Sequence, residues 1–390
     1  MKLYYFNPEH DLAMANGDAN FKSPEAASSM ASDLSLLPCW YAREGAAVFS
    51  ETDSGLEDNP LNIKVDIIPT YQLKELHPES VEPWGWDMAV RKFFLQSGVN
   101  ETMLPNIQQV QQIKELSHRR IAMEGMDYLR SRSIFPNSFP PSPVEATSIK
   151  AIEEESKKYD EIVLKAPWSG SGKGVFWSKG KLTSSLSGWC KRVIEKQGSV
   201  MVEPAQTRVQ DFAMEFLVEN GTAQFAGYSL FFTEGSGVYR GNRLMSNEMI
   251  EDKLCQWVSR EHIHWLIDEI KGFLTQKIAP YYTGYLGVDM FVYTQNDEYY
   301  INPMVEINLR MTMGMVARIF ADKYLSAGAK GWFKIDNMSP FELLLDHNIQ
   351  TKRYPLQMDN GRIKSGYLSL CPVNKDTIYR VYVVVEDGLG

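Results

Sequence analysis

The sequence predicts an α/β protein of more than one lobe, and three observations predict it. At 390 residues the chain exceeds what one small core organises. Its first third alternates strand-like with helix-like runs, the pattern of a βα lobe. Further on, strand-like runs come in adjacent pairs around short polar turns, the pattern of α+β lobes. A hydrophobic fraction of 44% with 12% aromatics belongs to an ordinary folded chain and argues against disorder. The formal net charge of −9 weighs against nucleic acid as a partner, which would demand a basic surface. Cys39, Cys190, Cys255 and Cys371 lie far apart with no CxxC pair, so they read as reduced thiols. The opening MKLYYFNPEHDL has too short an apolar run for a signal peptide, and no stretch reaches the length of a membrane span. A cytoplasmic location without membrane contact is expected, and the oligomeric state is unreadable.

Taken in order, a first strand is expected at 2–6, then a polar turn and a helix at 26–37. The run LNIKVDIIP at 61–69 is strand-like, and DMAVRKFFLQSG at 87–98 has helical apolar spacing with a glycine stop. Residues 113–132 read as a helix, and the proline-rich 135–143 breaks the chain. A second α/β stretch follows: strand 161–166, glycine-rich loop 168–175, helix 181–196 and strand 200–203. Strands at 211–219 and 223–232 flank Asn220-Gly221, a strong hairpin signal. A helix at 261–278 precedes strands 285–293 and 298–310, joined by the polar TQND. The tail is mixed, with a late strand at 379–385. The domains expected are an α/β lobe at 1–112, a central module at 113–330 and an extension at 331–390 packed on that module.

The chemistry concentrates in EYYINPMVEINLR at 298–310. Glu306, Asn308 and Arg310 are two apart, so a strand puts them in one row, with Val305, Ile307 and Leu309 opposite. Just upstream, YLGVDMFVY carries one acid, Asp289. If the two runs pair, Asp289 and Glu306 converge and Asn308 adds a third oxygen. Such hard ligands suit Mg²⁺ or Mn²⁺ carrying phosphate, not Zn²⁺. Lys165 ends the strand before the loop WSGSGKGV, whose Gly170, Gly172 and Gly174 let backbone N–H groups approach phosphate oxygens. That loop is not a Walker A motif: Pro167 stands where the first glycine is needed and Gly174 where Ser or Thr is needed.

This ordered succession resembles the ATP-grasp superfamily over about residues 113–320. Lys165-Ala166-Pro167 with Ser169 to Val175 echo the family pattern K-P…G-x-G-G-x-G-V, and Val202-Glu203-Pro204 echo its hinge strand. Asp289, Glu306, Asn308 and Arg310 match its metal signature D…E-x-N-x-R. The resemblance implies an N-terminal pre-grasp lobe followed by two α+β subdomains that clasp ATP. It implies phosphate binding by Lys165, Ser169, Gly170, Ser171, Gly172 and Gly174. Adenine would lie along Glu203, Pro204 and Ala205, and the ribose hydroxyls on Asp211 in DFAMEF. Mg²⁺ (or Mn²⁺) would sit on Asp289, Glu306 and Asn308, with Arg310 stabilising the transferring group. A further nucleotide-binding cation, usually lysine, is implied where this chain has SHRR, so Arg119 or Arg120 would substitute. Leu309 departs from the family's proline. The activity implied is ATP-dependent ligation of a small-molecule or peptide carboxylate to an amine through an acyl phosphate. A small-molecule kinase and a non-catalytic ATP-binding regulator are the alternatives.

Weaker candidates remain. Arg240 and Arg243 in YRGNRLMSN fit a phosphate or carboxylate clamp and equally a surface turn. Asn7, Glu9 and His10 follow the first strand, where open α/β sheets put ligands, but a helix cap and turn also explain them. In Glu261-His262-Ile263-His264 a helix puts the two histidines on different faces, so they read as ordinary. Trp84-Gly85-Trp86-Asp87 reads as a packed aromatic corner.

Overall fold

Three sheets carry the molecule; the computed structural model describes residues 1–52, 56, 60–135, 139–170, 174–233 and 239–386. The N-terminal sheet is parallel: β1 (Lys2–Tyr5), β2 (Ala47–Phe49), β3 (Asp66–Ile68) and β4 (Ser80–Pro83), in the order β3-β2-β1-β4. From β1 the chain winds to one side through β2 and β3, then returns to the other side at β4. That reversal opens a crevice beyond the C-terminal ends of β1 and β4, the place where such sheets take ligands.

A small antiparallel sheet follows, built from β5 (Val144–Ala146), β6 (Glu161–Lys165), β7 (Val175–Lys179) and β8 (Val200–Pro204) in the order β5-β8-β6-β7. Helices Ile149–Ser156 and Ser184–Gln197 cover one face, burying Ile152, Leu164, Cys190 and Val202 together.

The largest sheet is antiparallel and has nine strands. Its members are β9 (Thr207–Glu219), β10 (Thr222–Thr233), β11 (Tyr239–Leu244), β12 (Gly284–Gln295), β13 (Glu298–Asn308), β14 (Gly331–Asn337), β15 (Gln357–Asp359), β16 (Arg362–Ser369) and β17 (Tyr379–Val385). Their order is β13-β12-β9-β10-β11-β14-β17-β16-β15. Among the described residues three hairpins turn through left-handed residues: Asn220 and Gly221 (φ 53° and 74°), Asn296 and Asp297 (φ 53° and 63°), and Asn360 and Gly361 (φ 48° and 77°). Alternation on β9 sends Phe212, Met214, Phe216 and Val218 into a core with helices Arg119–Arg132 and Arg260–Lys277. The opposite face, carrying Asp211 and Glu215, receives helix Met313–Tyr324, whose own core joins the N-terminal lobe through Met315, Phe320 and Trp40.

Several expected elements differ. The helix expected at 113–132 is two helices, Ile107–Leu116 and Arg119–Arg132, because His118 caps the second: its Nδ1 accepts from Arg120 N at 3.0 Å. The expected helix 26–37 is Glu25–Asp33 followed by a 3₁₀ turn, Leu37–Trp40, holding Pro38. Of the strand expected at 61–69, only Asp66–Ile68 forms. YRGNRL, where no strand was expected, is strand β11. The tail contributes β14 to β17 and helix Pro340–Arg353, and β14 pairs with β11, so these strands continue the large sheet. Among the described residues no helix is long and apolar enough to cross a membrane.

Candidate functional site

β12 and β13 pair in the register that the acids require: Asp289 lies opposite Glu306, and Gly287 opposite Asn308. A bulge follows Asp289, where the ladder shifts before Phe291. Burial, then the neighbouring Glu306 charge, pushes the Asp289 carboxyl up to about 7, against a hydrogen bond from Asn308. Two carboxylates and an amide oxygen are a hard donor set, but only part of a shell. Among the described residues no cluster of three or more His, Cys, Asp or Glu side chains could hold a metal alone. A magnesium ion shared with phosphates asks for this partial set, so the residues fit it.

Cations surround the acids, each held by a partner. Arg119, at the start of its helix, donates from Nη2 to Glu306 Oε2 at 2.7 Å and from Nη1 to Ser169 Oγ at 2.9 Å and to the Ala166 carbonyl. It thereby ties β13 to the loop that follows β6. Arg310 forks Asp11 of the N-terminal lobe, with Nε and Nη2 each 2.9 Å from a carboxylate oxygen, and also donates to Asn308 Oδ1 at 3.1 Å. Burial disfavours the charge on Asp11, yet Arg310 beside it holds the carboxyl below its usual range. Lys165 is 3% exposed at the end of β6 and paired with Glu203 on β8; burial lowers its pKa.

Glu306, Asn308 and Arg310 line a cleft of about 290 Å³, mouth included, together with His10, Asp11, Trp168 and Ser169. Of the glycine-rich segment, Trp168 and Ser169 line it. Trp168 is anchored by Nε1 donating to the Lys114 carbonyl at 2.8 Å, and a Cβ on Gly170 would collide with the Asp11 carboxylate. Gly174 closes the loop, its carbonyl accepting from Ala166 N at 2.8 Å. At the far side Asp211 accepts from Arg208 at 3.1 Å and from Thr233 at 3.2 Å.

The sequence matches no protein-family model and shows no significant similarity to a curated protein. Its likeness to solved structures spans nearly every residue. Against N5-carboxyaminoimidazole synthetase from Staphylococcus aureus complexed with ADP, the TM-score is 0.50 at 12% identity, covering 100% of this chain and 94% of the other. Against the biotin carboxylase–β-γ-ATP complex from Campylobacter jejuni it is 0.53 at 11% identity, covering 99% and 87%. Against the biotin carboxylase domain of the Hydrogenobacter thermophilus 2-oxoglutarate carboxylase it is 0.51 at 11% identity, covering 99% and 86%. The chain has the ATP-grasp fold.

Within the ATP-grasp fold, the cleft is lined by Trp168 and Ser169 after β6 of the small sheet, by Glu306 to Arg310 at the end of β13, and by His10, Asp11 and Met14 of the N-terminal lobe. Of the two candidate arginines Arg119 reaches the acids, whereas Arg120 is 3.7 Å from Glu145 and half exposed. Arg243 is not part of the site. It projects from the sheet face opposite Asn242, forks Glu386 at 2.5 and 2.9 Å and stacks on Trp332. Arg240 is exposed near the start of β11. The Ala205 N–H is taken by the Glu161 carbonyl at 2.9 Å, and Pro204 ends β8. Asn7 and His10 lie in the N-terminal crevice with Asp87, and Glu9 is largely buried, which raises its pKa. Ser171 and Gly172 fall outside the described residues. His262 stacks on Phe135 and His264 bonds Glu251, both away from the cleft.

Two residues escaped the sequence reading. Asp11 is the acid that holds Arg310, and the only signal was its place in NPEHD. Glu215 is 1% exposed beneath Asp289, accepting from Ser229 Oγ at 2.9 Å and Thr312 Oγ1 at 3.0 Å. Its signal was the spacing of four from Asp211, which puts both acids on one strand face.

Proposed function

We propose that the chain is an ATP-dependent ligase that activates a carboxylate as an acyl phosphate and passes the acyl group to an amine. One observation carries the reading: Asp289 pairs opposite Glu306, Arg119 and Arg310 bond Glu306 and Asn308, and the cleft lined by Glu306, Asn308 and Arg310 also takes Trp168 and Ser169. Phosphoryl transfer needs positioning and charge neutralisation more than a covalent catalyst, and this set supplies both. The ligands of similar structures support it: ADP in one, and MgADP with bicarbonate, a small carboxylate-like anion, in another.

Asp289, Glu306 and Asn308 are the residues that would hold Mg²⁺, which when bound offsets phosphate charge. Lys165 leaves Glu203 for phosphate oxygens as the nucleotide arrives, and the loop from Ser169 to Gly174 covers the chain of phosphates. Arg119 turns its fork from Glu306 toward phosphate while Ser169 and the Ala166 carbonyl keep it in place. Arg310, oriented by Asp11, faces the oxygens of the transferring group.

The test is ADP release from ATP and Mg²⁺ with a panel of carboxylates, hydroxylamine being present to trap acyl phosphate as hydroxamate. Acid-dependent ADP and hydroxamate in equal amounts are expected. Glu306→Gln removes a charge beside the cation and should lower the rate by about a hundredfold or more, roughly 3 kcal/mol of barrier. A stable phosphate ester in place of hydroxamate would make the protein a kinase. Normal turnover by Glu306→Gln would remove the acid from the site.

A further inference from the structure

The N-terminal lobe brings to the cleft a group that nucleotide binding does not use. β1 and β4 are neighbours whose connections leave in opposite directions, and beyond their ends lie Asn7, His10 and Asp87, all buried. His10 is 0% exposed, with Nδ1 3.2 Å from Asp87 Oδ2. Asp87 is itself fixed from two sides. Its Oδ1 accepts from Ala89 N at 2.8 Å and Val90 N at 2.9 Å, capping helix Met88–Gln96. Its Oδ2 accepts from Asn7 Nδ2 at 3.3 Å, and that amide also donates to the Gly85 carbonyl at 2.9 Å.

A carboxylate in that setting accepts, so His10 carries its ring hydrogen on Nδ1 and presents a bare lone pair at Nε2. Nε2 is shielded from solvent and has no hydrogen-bond partner among the described residues. Gly85 packs against the ring so closely that any Cβ there would collide with it. His10 is also part of the wall that includes Ser169, Glu306, Asn308 and Arg310. An oriented base beside the acyl-transfer site, with one free nitrogen, is what an amine acceptor needs.

We infer that His10 is the general base that deprotonates the attacking amine, with Asp87 as its positioning residue. This rests on the ligase reading above. At neutral pH an amine of ordinary basicity is an ammonium and has no lone pair to attack with. The N–H bond breaks and its proton moves to Nε2. The freed nitrogen pair forms the C–N bond to the acyl carbon, and the C–O bond to phosphate breaks, phosphate leaving with those electrons. The departing phosphate takes the second proton that the acylated nitrogen must lose, so amide, hydrogen phosphate and an imidazolium result, and the Asp87 charge steadies the imidazolium. The groups facing this event are Asp87 and Glu9 from the crevice, Asp11 beside Arg310, and Glu306 with Arg119 across the cleft.

The experiment compares acceptors of different basicity. Wild type, His10→Ala and Asp87→Asn are supplied with ATP, Mg²⁺ and acetate, succinate, glutamate or bicarbonate. The acceptor is either hydroxylamine, already unprotonated at neutral pH, or ammonium and glycine, which are protonated. With the basic amines, amide formation should fall about a hundredfold or more in both variants, while hydroxamate formation falls less than about tenfold. Asparagine at 87 still caps the helix, so folding is kept. Equal losses on both kinds of acceptor, no loss, or a wild type that captures hydroxylamine but no basic amine would each overturn the base. No acid-dependent ADP release from the wild type would instead overturn the ligase reading and take the base with it. Nitrogen chemical shifts of ¹⁵N-labelled histidine give a second readout: the proton is expected on Nδ1 of His10 in the wild type and on Nε2 in Asp87→Asn. A wild-type proton on Nε2 overturns the assignment whatever the turnover.

Discussion

Glu215 shows how the acids of this molecule differ although their chemistry is the same. Burial pushes its carboxyl up to about 8, with the Asp289 charge adding and the Ser229 and Thr312 hydroxyls opposing. The folded state therefore keeps a proton that the unfolded chain gives up near pH 4.5. As pH rises from there to about 8, that difference costs stability, at about 1.4 kcal/mol per pH unit. Glu215→Gln should abolish this part of the pH dependence and be more stable than wild type at pH 8.5, measured by urea unfolding at pH 5.5 and 8.5. Parallel profiles for the two proteins would show that the carboxyl does not titrate there. Legibility in the sequence follows the same local logic. Asp289, Glu306, Asn308 and Arg310 could be read because a strand's period of two fixes their shared face. Asp11 could not, since its partner Arg310 lies 299 residues away. Arg243 was misleading because charge alone does not say on which face of β11 a side chain stands.

Elements with strong turn chemistry were legible, whereas those held by distant partners were not. Asn220-Gly221 marked the β9–β10 hairpin because both positions need φ above zero. The break at Ser117 and His118 was hidden, because apolar spacing runs on through both helices and only the His118 side chain supplies the cap. YRGNRL fitted a clamp or a surface turn equally; it is a strand, β11, because β10 and β14 flank it. In the tail, Arg380 on β17 ties β14 and helix Pro340–Arg353 together. It is 0% exposed and donates to Asp336 on β14 at 2.7 Å and to Asp346 on helix Pro340–Arg353 at 2.6 Å. Arg380→Ala would leave both acids facing each other over a void and should cost about 3–5 kcal/mol in urea unfolding. A change near zero would mean that the helix is held by other contacts.

For the molecule as a whole, the deciding fact is that the last four strands extend the large sheet instead of forming a separate body. Phe333, Val381 and Val383 share a core with Trp40 of the N-terminal lobe and Phe320 of the helix after β13. Removing residues 331–386 should therefore leave an aggregating chain rather than a shorter folded protein, tested by size-exclusion chromatography and near-ultraviolet circular dichroism. A monomeric, cooperatively unfolding product would show that the central module stands alone. None of this could be read from local periodicity, because it depends on which edge of the sheet β14 chooses. The same pairing bears on how the protein is made. Roughly 90 residues separate β11 from β14, its partner. At about 5–20 residues per second, the ribosome leaves the β11 edge open for roughly 5–20 seconds. An open edge invites pairing with another chain, and charge is a common defence. Arg240 and Arg243 stand on that strand, and replacing both with threonine should lower soluble yield during synthesis more than it lowers the stability of the finished fold.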